Sequence, residues 1–208
     1  MLRVLGRTSS INVRKVLWTL TELNEPFDHD ASWAGPSAPA SVPDFLELNP
    51  NGQVPVILDE NGVLWESNTI CRYLVTRRGT GELLPAEPHR RARVEMWMDW
   101  QATDLNGTWG PAFHVLARKN SAFADAATVA GSIARWTAKM QILDDQLADT
   151  GGFVTGSAFT LADIVLGLSV HRYFSTPFAH AALPAVRRYV TRLGERDGFR
   201  RYATATLP

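Results

Sequence analysis

Three short polar constellations carry side chains able to do chemistry. The first is Ser9-Ser10-Ile11-Asn12, where two hydroxyls and a carboxamide stand at the start of a helically spaced apolar run. Such groups donate hydrogen bonds, and the unpaired N–H groups and dipole of a helix start also favour an anion. Ser9, Ser10 and Asn12 equally suit plain helix capping, so both readings stand. The second is Glu66-Ser67, again just ahead of helical periodicity, offering an anion the Ser67 hydroxyl and backbone and a cation the Glu66 carboxylate. Its other reading is a serine cap behind a surface glutamate. The third is the loop Asn49-Pro-Asn-Gly-Gln-Val-Pro55. An isolated X-Pro bond such as Val54-Pro55 is trans by default, with cis in about 5% of folded cases. The lone cysteine, Cys71, lies on the apolar side of its run with Ile70 and Leu74 and reads as a buried small hydrophobe. One cysteine excludes an intramolecular disulfide and any multi-cysteine metal site, and the five histidines show no metal-ligand spacing, so no metal is expected.

The elements that must hold these residues are legible from periodicity. Residues 2–5 read as a strand, a polar turn follows at 6–10, and Ile11, Val13, Val16, Leu17, Leu20 and Leu23 mark a helix ending near Asn24. Residues 27–30 suggest a second strand, 32–43 a Pro/Ser/Ala/Gly loop, and 45–48 a helical turn. Residues 54–58 and 63–65, joined by Asp59-Glu-Asn-Gly62, form a hairpin, and Ser67 opens a helix through Leu74. The order βαβαββα is that of a thioredoxin-like domain over 1–78, followed by a Gly/Pro linker at 79–88 and an all-helical bundle over 89–208. In that bundle Val94, Trp97, Met98 and Leu105 share a stripe, with Gly110-Pro111 expected to kink or break a helix over 89–118. A second helix over 125–149 buries Ile133, Trp136, Met140, Leu143 and Leu147. Thr160-Leu-Ala-Asp163 is a capping-box start, and 184–196 a last amphipathic helix.

Composition narrows the function. Hydrophobic residues at 45% and charged residues at 20% permit a core. Lys+Arg and Asp+Glu both total 21, so no net field favours nucleic acid or an anionic membrane. A small ligand fits better. No apolar stretch approaches the ~18 residues of a membrane span, and the short run before Arg7 lacks a signal-peptide core, so a reducing, cytoplasmic setting is expected.

Taken in order, Ser10-Ile-Asn-Val-Arg14, Asn49-Pro-Asn-Gly-Gln-Val-Pro55, Glu66-Ser67 and Thr160-Leu-Ala-Asp163 resemble the landmarks of the glutathione S-transferase superfamily, closest to bacterial and serine-type classes such as theta, delta and nu. The resemblance implies glutathione as co-substrate and a thiolate contact from Ser10, with Asn12 and Ser9 as the other candidates. It implies a cis Val54-Pro55 whose exposed backbone pairs with the cysteinyl unit. Glu66 and Ser67 would take the γ-glutamyl end. Many relatives place a cation near residues 35–42 for the glycine carboxylate. None stands there, so Gln53 is the candidate for that end. A small hydrophobic electrophile would lie between the domains, against Trp109, Phe113 and Trp33, and a homodimer is implied. The function implied is transfer of glutathione to an electrophile. Its alternatives are glutathione-dependent disulfide or peroxide reduction, favoured if Asn12 contacts sulfur, and a non-catalytic binding module. The missing Cys in the first turn disfavours maleylacetoacetate isomerisation and mixed-disulfide chemistry.

Overall fold

A computed structural model describes residues 1–35, 38–79, 81–120, 122 and 125–203. The chain divides into two compact units, Met1–Leu84 with the segment from Arg196 onward, and Pro85–Glu195.

In the first unit the elements are β1 (Arg3–Leu5), α1 (Ile11–Glu22), β2 (Asp28–Asp30), α2 (Pro43–Leu48), β3 (Val56–Asp59), β4 (Gly62–Trp65) and α3 (Ser67–Arg78). They form a four-stranded mixed sheet in the order β2-β1-β3-β4. The pair β1–β2 is parallel, which requires a crossover, and α1 supplies it. Antiparallel pairing aligns Val4 with Ile57 and Ile57 with Leu64. Pro55 sits just ahead of β3, where its missing N–H costs no ladder hydrogen bond.

Helix α1 is buried on more sides than its apolar stripe foretells. Val13, Val16, Leu17 and Leu20 are inaccessible, and so are Arg14, Lys15, Trp18 and Thr19. Two partners cover that second face. Helix α3 meets Lys15 and Thr19 through Asn68 and Cys71. A short closing helix over residues 197–202 covers Trp18 with Phe199 at 5.7 Å between ring centroids.

In the second unit α4 (Pro88–Trp100) runs into a π-helical segment, Gln101–Leu105, followed by α5 (Gly110–Leu116), α6 (Ala126–Thr150), α7 (Leu161–Ser175) and α8 (Pro184–Leu193). The helix expected over 89–118 is therefore two. The interruption comes before Gly110-Pro111, and Pro111 instead occupies the first turn of α5, where its missing N–H is harmless. Val94, Trp97, Met98 and Leu105 are buried as expected. Helix α7 is the core of this unit, inaccessible from Leu161 through Val170. Its start is the foreseen capping box: the Asp163 carboxylate accepts from the backbone N–H of Thr160 at 2.8 Å and of Val154 at 2.9 Å.

Helix α9 (Asp197–Tyr202) belongs with the first unit. Sequence pattern groups these residues with the helices that precede them. Their packing on Trp18 and the ion pair of Arg196 with Glu22, 3.1 Å from Nε to Oε1, draw them to α1.

Candidate active site

Sheet register brings the three constellations to one end of the first unit. Leu5, the last residue of β1, pairs with Val56, the first of β3, and Val56 pairs with Trp65, the last of β4. The turn after β1, the Val54-Pro55 step before β3 and the Glu66-Ser67 step after β4 must then lie side by side.

In the first turn, Gly6 donates to the Asp30 carbonyl at 2.9 Å and Arg7 to the Trp33 carbonyl at 3.0 Å, so both amides are anchored to the chain around β2. Gly6 has φ 137°, and a Cβ there would stand 2.7 Å from Val13 Cγ2 and from Val54 Cβ. Only glycine lets the first turn of α1 and the Val54 loop close on each other. Ser10 is the N-cap of α1, in extended conformation, yet its hydroxyl makes no capping hydrogen bond. It is partly exposed, as are Ser9 and Asn12. The capping-only reading is thus not realised at Ser10, and a donor is left at a helix start where an anion is favoured.

The second loop is organised by Asn49, which is 2% exposed. Its Nδ2 donates to the Gln53 carbonyl at 2.8 Å, and its Oδ1 accepts from Asn51 N at 3.1 Å and Asn51 Nδ2 at 3.0 Å. Val54-Pro55 is cis. Among the described residues the Val54 amide and carbonyl make no backbone hydrogen bond, so both are available to an extended peptide. Gln53 itself is exposed.

At the third step the structure shifts the expected cap by one residue. Glu66 is the N-cap of α3, at φ 73°, and Ser67 is the first helical residue, 7% exposed. A positive φ on a non-glycine residue is a strained arrangement of the kind that gathers at binding sites. No side chain caps α3, leaving its first N–H groups without an intrahelical acceptor. Beside them Lys15, 1% exposed, reaches from α1 to Asn68 Oδ1 at 3.2 Å. Lys15 gave no signal in the sequence, because it stands off the apolar stripe and reads as solvated.

Trp33 is partly exposed. Its ring lies 5.0 Å from Phe45, against a cluster of Leu5, Ala40, Phe45 and Val56 that Val54 also joins. Of the loop without a cation, Pro36 and Ser37 lie outside the described residues. Cys71 is fully buried, accepts from Thr19 Oγ1 at 3.2 Å, and has its thiol pKa pushed up by burial to about 11. It is no nucleophile.

Within the second unit Phe113 is 2% exposed and belongs to the core, as aromatics at helical spacing commonly do, while Trp109 is partly exposed. The Arg172 guanidinium stacks 4.2 Å over the Trp109 ring and 4.7 Å over Phe113. Trp109 Nε1 donates at 3.1 Å to Asn106 Oδ1, which also accepts from buried Gln101 in the π-helical segment. That glutamine is inaccessible at the start of the π-helical segment and also donates to Ser169 Oγ at 3.1 Å. Burial, and then the charges of Arg118 and Arg172, lower the pKa of neighbouring His114.

Residues 9–77 match the family model for the glutathione S-transferase N-terminal domain, and residues 126–192 that for its C-terminal domain. The chain is 33% identical to glutathione S-transferase GstB of Escherichia coli K12, over 97% of both proteins. It belongs to the glutathione S-transferase family. The theta class enzyme of Xanthomonas axonopodis pv. citri, solved with glutathione bound, superposes with a TM-score of 0.92 at 31% identity, covering 100% of this chain and 99% of that one. Glutathione S-transferase 3 of Zea mays is 31% identical over 78% of this chain and 76% of its own length. Among the described residues no group of acidic, Cys and His side chains could hold a metal ion, and no helix is long and apolar enough to cross a membrane.

Proposed function

We propose that this transferase-family protein binds glutathione at the shared end of β1, β3 and β4 and conjugates its sulfur to a small hydrophobic electrophile, with Ser10 stabilising the thiolate. The observation that carries this reading is the Ser10 hydroxyl: it stands at the start of α1 without capping the helix.

A free thiol titrates near ~8.5, and lowering that by ~2 units requires about 2.7 kcal/mol of preferential anion stabilisation. A hydrogen bond to a charged group contributes roughly 1.5–3 kcal/mol and a helix start about 0.3–1 more, so one hydroxyl suffices. The cysteinyl unit pairs with the Val54 backbone as an added strand. The γ-glutamyl carboxylate takes the uncapped N–H groups of α3 and the Ser67 hydroxyl, and the α-ammonium pairs with Glu66. Gln53, exposed beside them, meets the glycine end. The thiolate lone pair then forms a carbon–sulfur bond while the leaving group departs with the electron pair of the bond that breaks; in a conjugated acceptor nothing leaves, and the π pair moves onto the activating group and takes a proton from water. We further read the chain as a cytoplasmic homodimer; the buried, unreactive Cys71 suits a reducing compartment, and sedimentation would test the dimer.

The test is a pH titration of thiolate absorbance for bound glutathione, with Ser10→Ala alongside. The expected bound-thiol pKa lies well below that of free glutathione and rises on substitution. A lowered pKa untouched by Ser10→Ala transfers the role to Asn12 and favours the reductase alternative. No glutathione-dependent signal would end the enzymatic reading.

A further inference from the structure

Arg14 lies one helical turn after Ser10, and the mechanism above does not use it. It is 2% exposed. A buried guanidinium is costly unless its donors are met, and its fork can serve two acceptors in different directions. Here it does both. Nη2 donates to the Ser9 carbonyl at 3.4 Å, and Nη1 donates to the Tyr202 carbonyl at 3.1 Å. The Arg14 amide, meanwhile, donates to the Ser10 carbonyl at 3.1 Å. One residue thus joins the serine turn to the last residue of α9.

The far anchor is itself built for a fixed place. Gly198 in α9 lies flat on the Trp18 indole, and a Cβ there would fall 1.9 Å from Trp18 Cδ1. Thr21 Oγ1 adds a hydrogen bond to the Tyr202 hydroxyl at 3.2 Å. A cleft of about 710 Å³ opens on this flank beside Thr8, Arg14, Phe27 and Tyr202.

We propose that Arg14 is a positioning residue of the thiolate site, and that through it α9 sets the orientation of the Ser9–Ser10 turn. This rests on the reading that Ser10 donates to the thiolate. The C-terminal segment of the chain is on this account part of the scaffold for a site formed by residues near the N-terminus, and displacing it weakens thiolate formation without touching a glutathione contact.

The experiment measures kcat/KM against pH with glutathione and 1-chloro-2,4-dinitrobenzene for the wild type, Arg14→Met, Arg14→Lys, Gly198→Ala and Ser10→Ala, with thermal melts to establish folding. In Arg14→Met and Gly198→Ala the apparent thiol pKa rises by about one unit, so activity at pH 6.5 falls roughly tenfold. At pH 9, where the thiolate forms unaided, it returns to within about threefold of wild type. Arg14→Lys, keeping charge but not the fork, falls between. A merely structural loss would lower activity equally at every pH. If Arg14→Met does not fold, Arg14→Lys and Gly198→Ala decide. Folded Arg14→Lys and Gly198→Ala proteins with the wild-type pH profile would overturn the proposal. A wild-type profile in Ser10→Ala would instead remove the reading beneath it, separately from anything Arg14 does.

Discussion

Replacing Asn49 by alanine should loosen the glutathione loop by a predictable amount. Asn49 has φ −145° and ψ 105°, extended backbone that alanine adopts freely, so the substitution removes the amide and little else. Three hydrogen bonds go with it: one to the Gln53 carbonyl and two from Asn51. Each contributes roughly 0.5–1.5 kcal/mol net. Gln53 and Asn51 are exposed, so water replaces part of what they lose, and the expected cost is about 2 kcal/mol. The functional cost comes through geometry, since Gln53 is the residue before Val54. A loop free to shift by ~1 Å should raise KM for glutathione about tenfold with a smaller change in kcat. Urea unfolding followed by tryptophan fluorescence gives the first number, provided the m-value is unchanged. Steady-state titration of glutathione gives the second. Asn49→Asp keeps an acceptor for Asn51 but opposes the Gln53 carbonyl, and should be at least as damaging. A midpoint shift worth under about 0.5 kcal/mol with unaltered KM would refute the claim that this amide sets the loop.

Gly6→Ala should be severe, about 2–4 kcal/mol by thermal unfolding, because it adds a strained φ to clashes with Val13 and Val54. Adding Val13→Ala to Gly6→Ala, which removes the Cγ2 contact, should restore only part, since the φ penalty and the contact with Val54 Cβ remain; full restoration would show that the Val13 clash was the whole cost. Asp163, fully buried, has its carboxyl pushed up to about 6, desolvation outweighing the hydrogen bonds from Val154, Thr160 and Tyr189. The folded state therefore holds the proton more tightly than the unfolded state, whose carboxyl titrates near ~3.9, and stability should fall by about 2–3 kcal/mol as pH rises through that window. His114, lowered by burial, acts in the opposite sense as pH rises towards its ordinary value. The difference in urea midpoint between wild type and Asp163→Asn, followed from pH 4 to 7, isolates the Asp163 contribution; a constant difference would refute it.

Much of the fold was legible because its signals are local. Helical spacing from Ile11, the hairpin around Asp59-Glu-Asn-Gly62 and the Thr160–Asp163 box each depend on residues a few positions apart, and the structure has them all. The division of 89–118 was misplaced, since Gly110-Pro111 can end one helix or begin another and sequence does not say which. Phe113 offered an aromatic at helical spacing, which is compatible with a pocket wall or a core, and packing within its unit made it core.

By itself, the sequence determined the polar residue types at the ends of β1 and β4 and before β3, a neutral charge balance and a single cysteine, because these are properties of the chain whatever its path. Tertiary structure decided what those residues can do. Register alone carries residues 6, 55 and 66 to one sheet end, since Leu5, Val56 and Trp65 pair across three strands. Burial turned Cys71 into an inert thiol and Arg14 and Lys15 into buried cations, because α3 and a helix from the far end of the chain cover the polar side of α1. No local pattern can announce contacts made between residues 14 and 202.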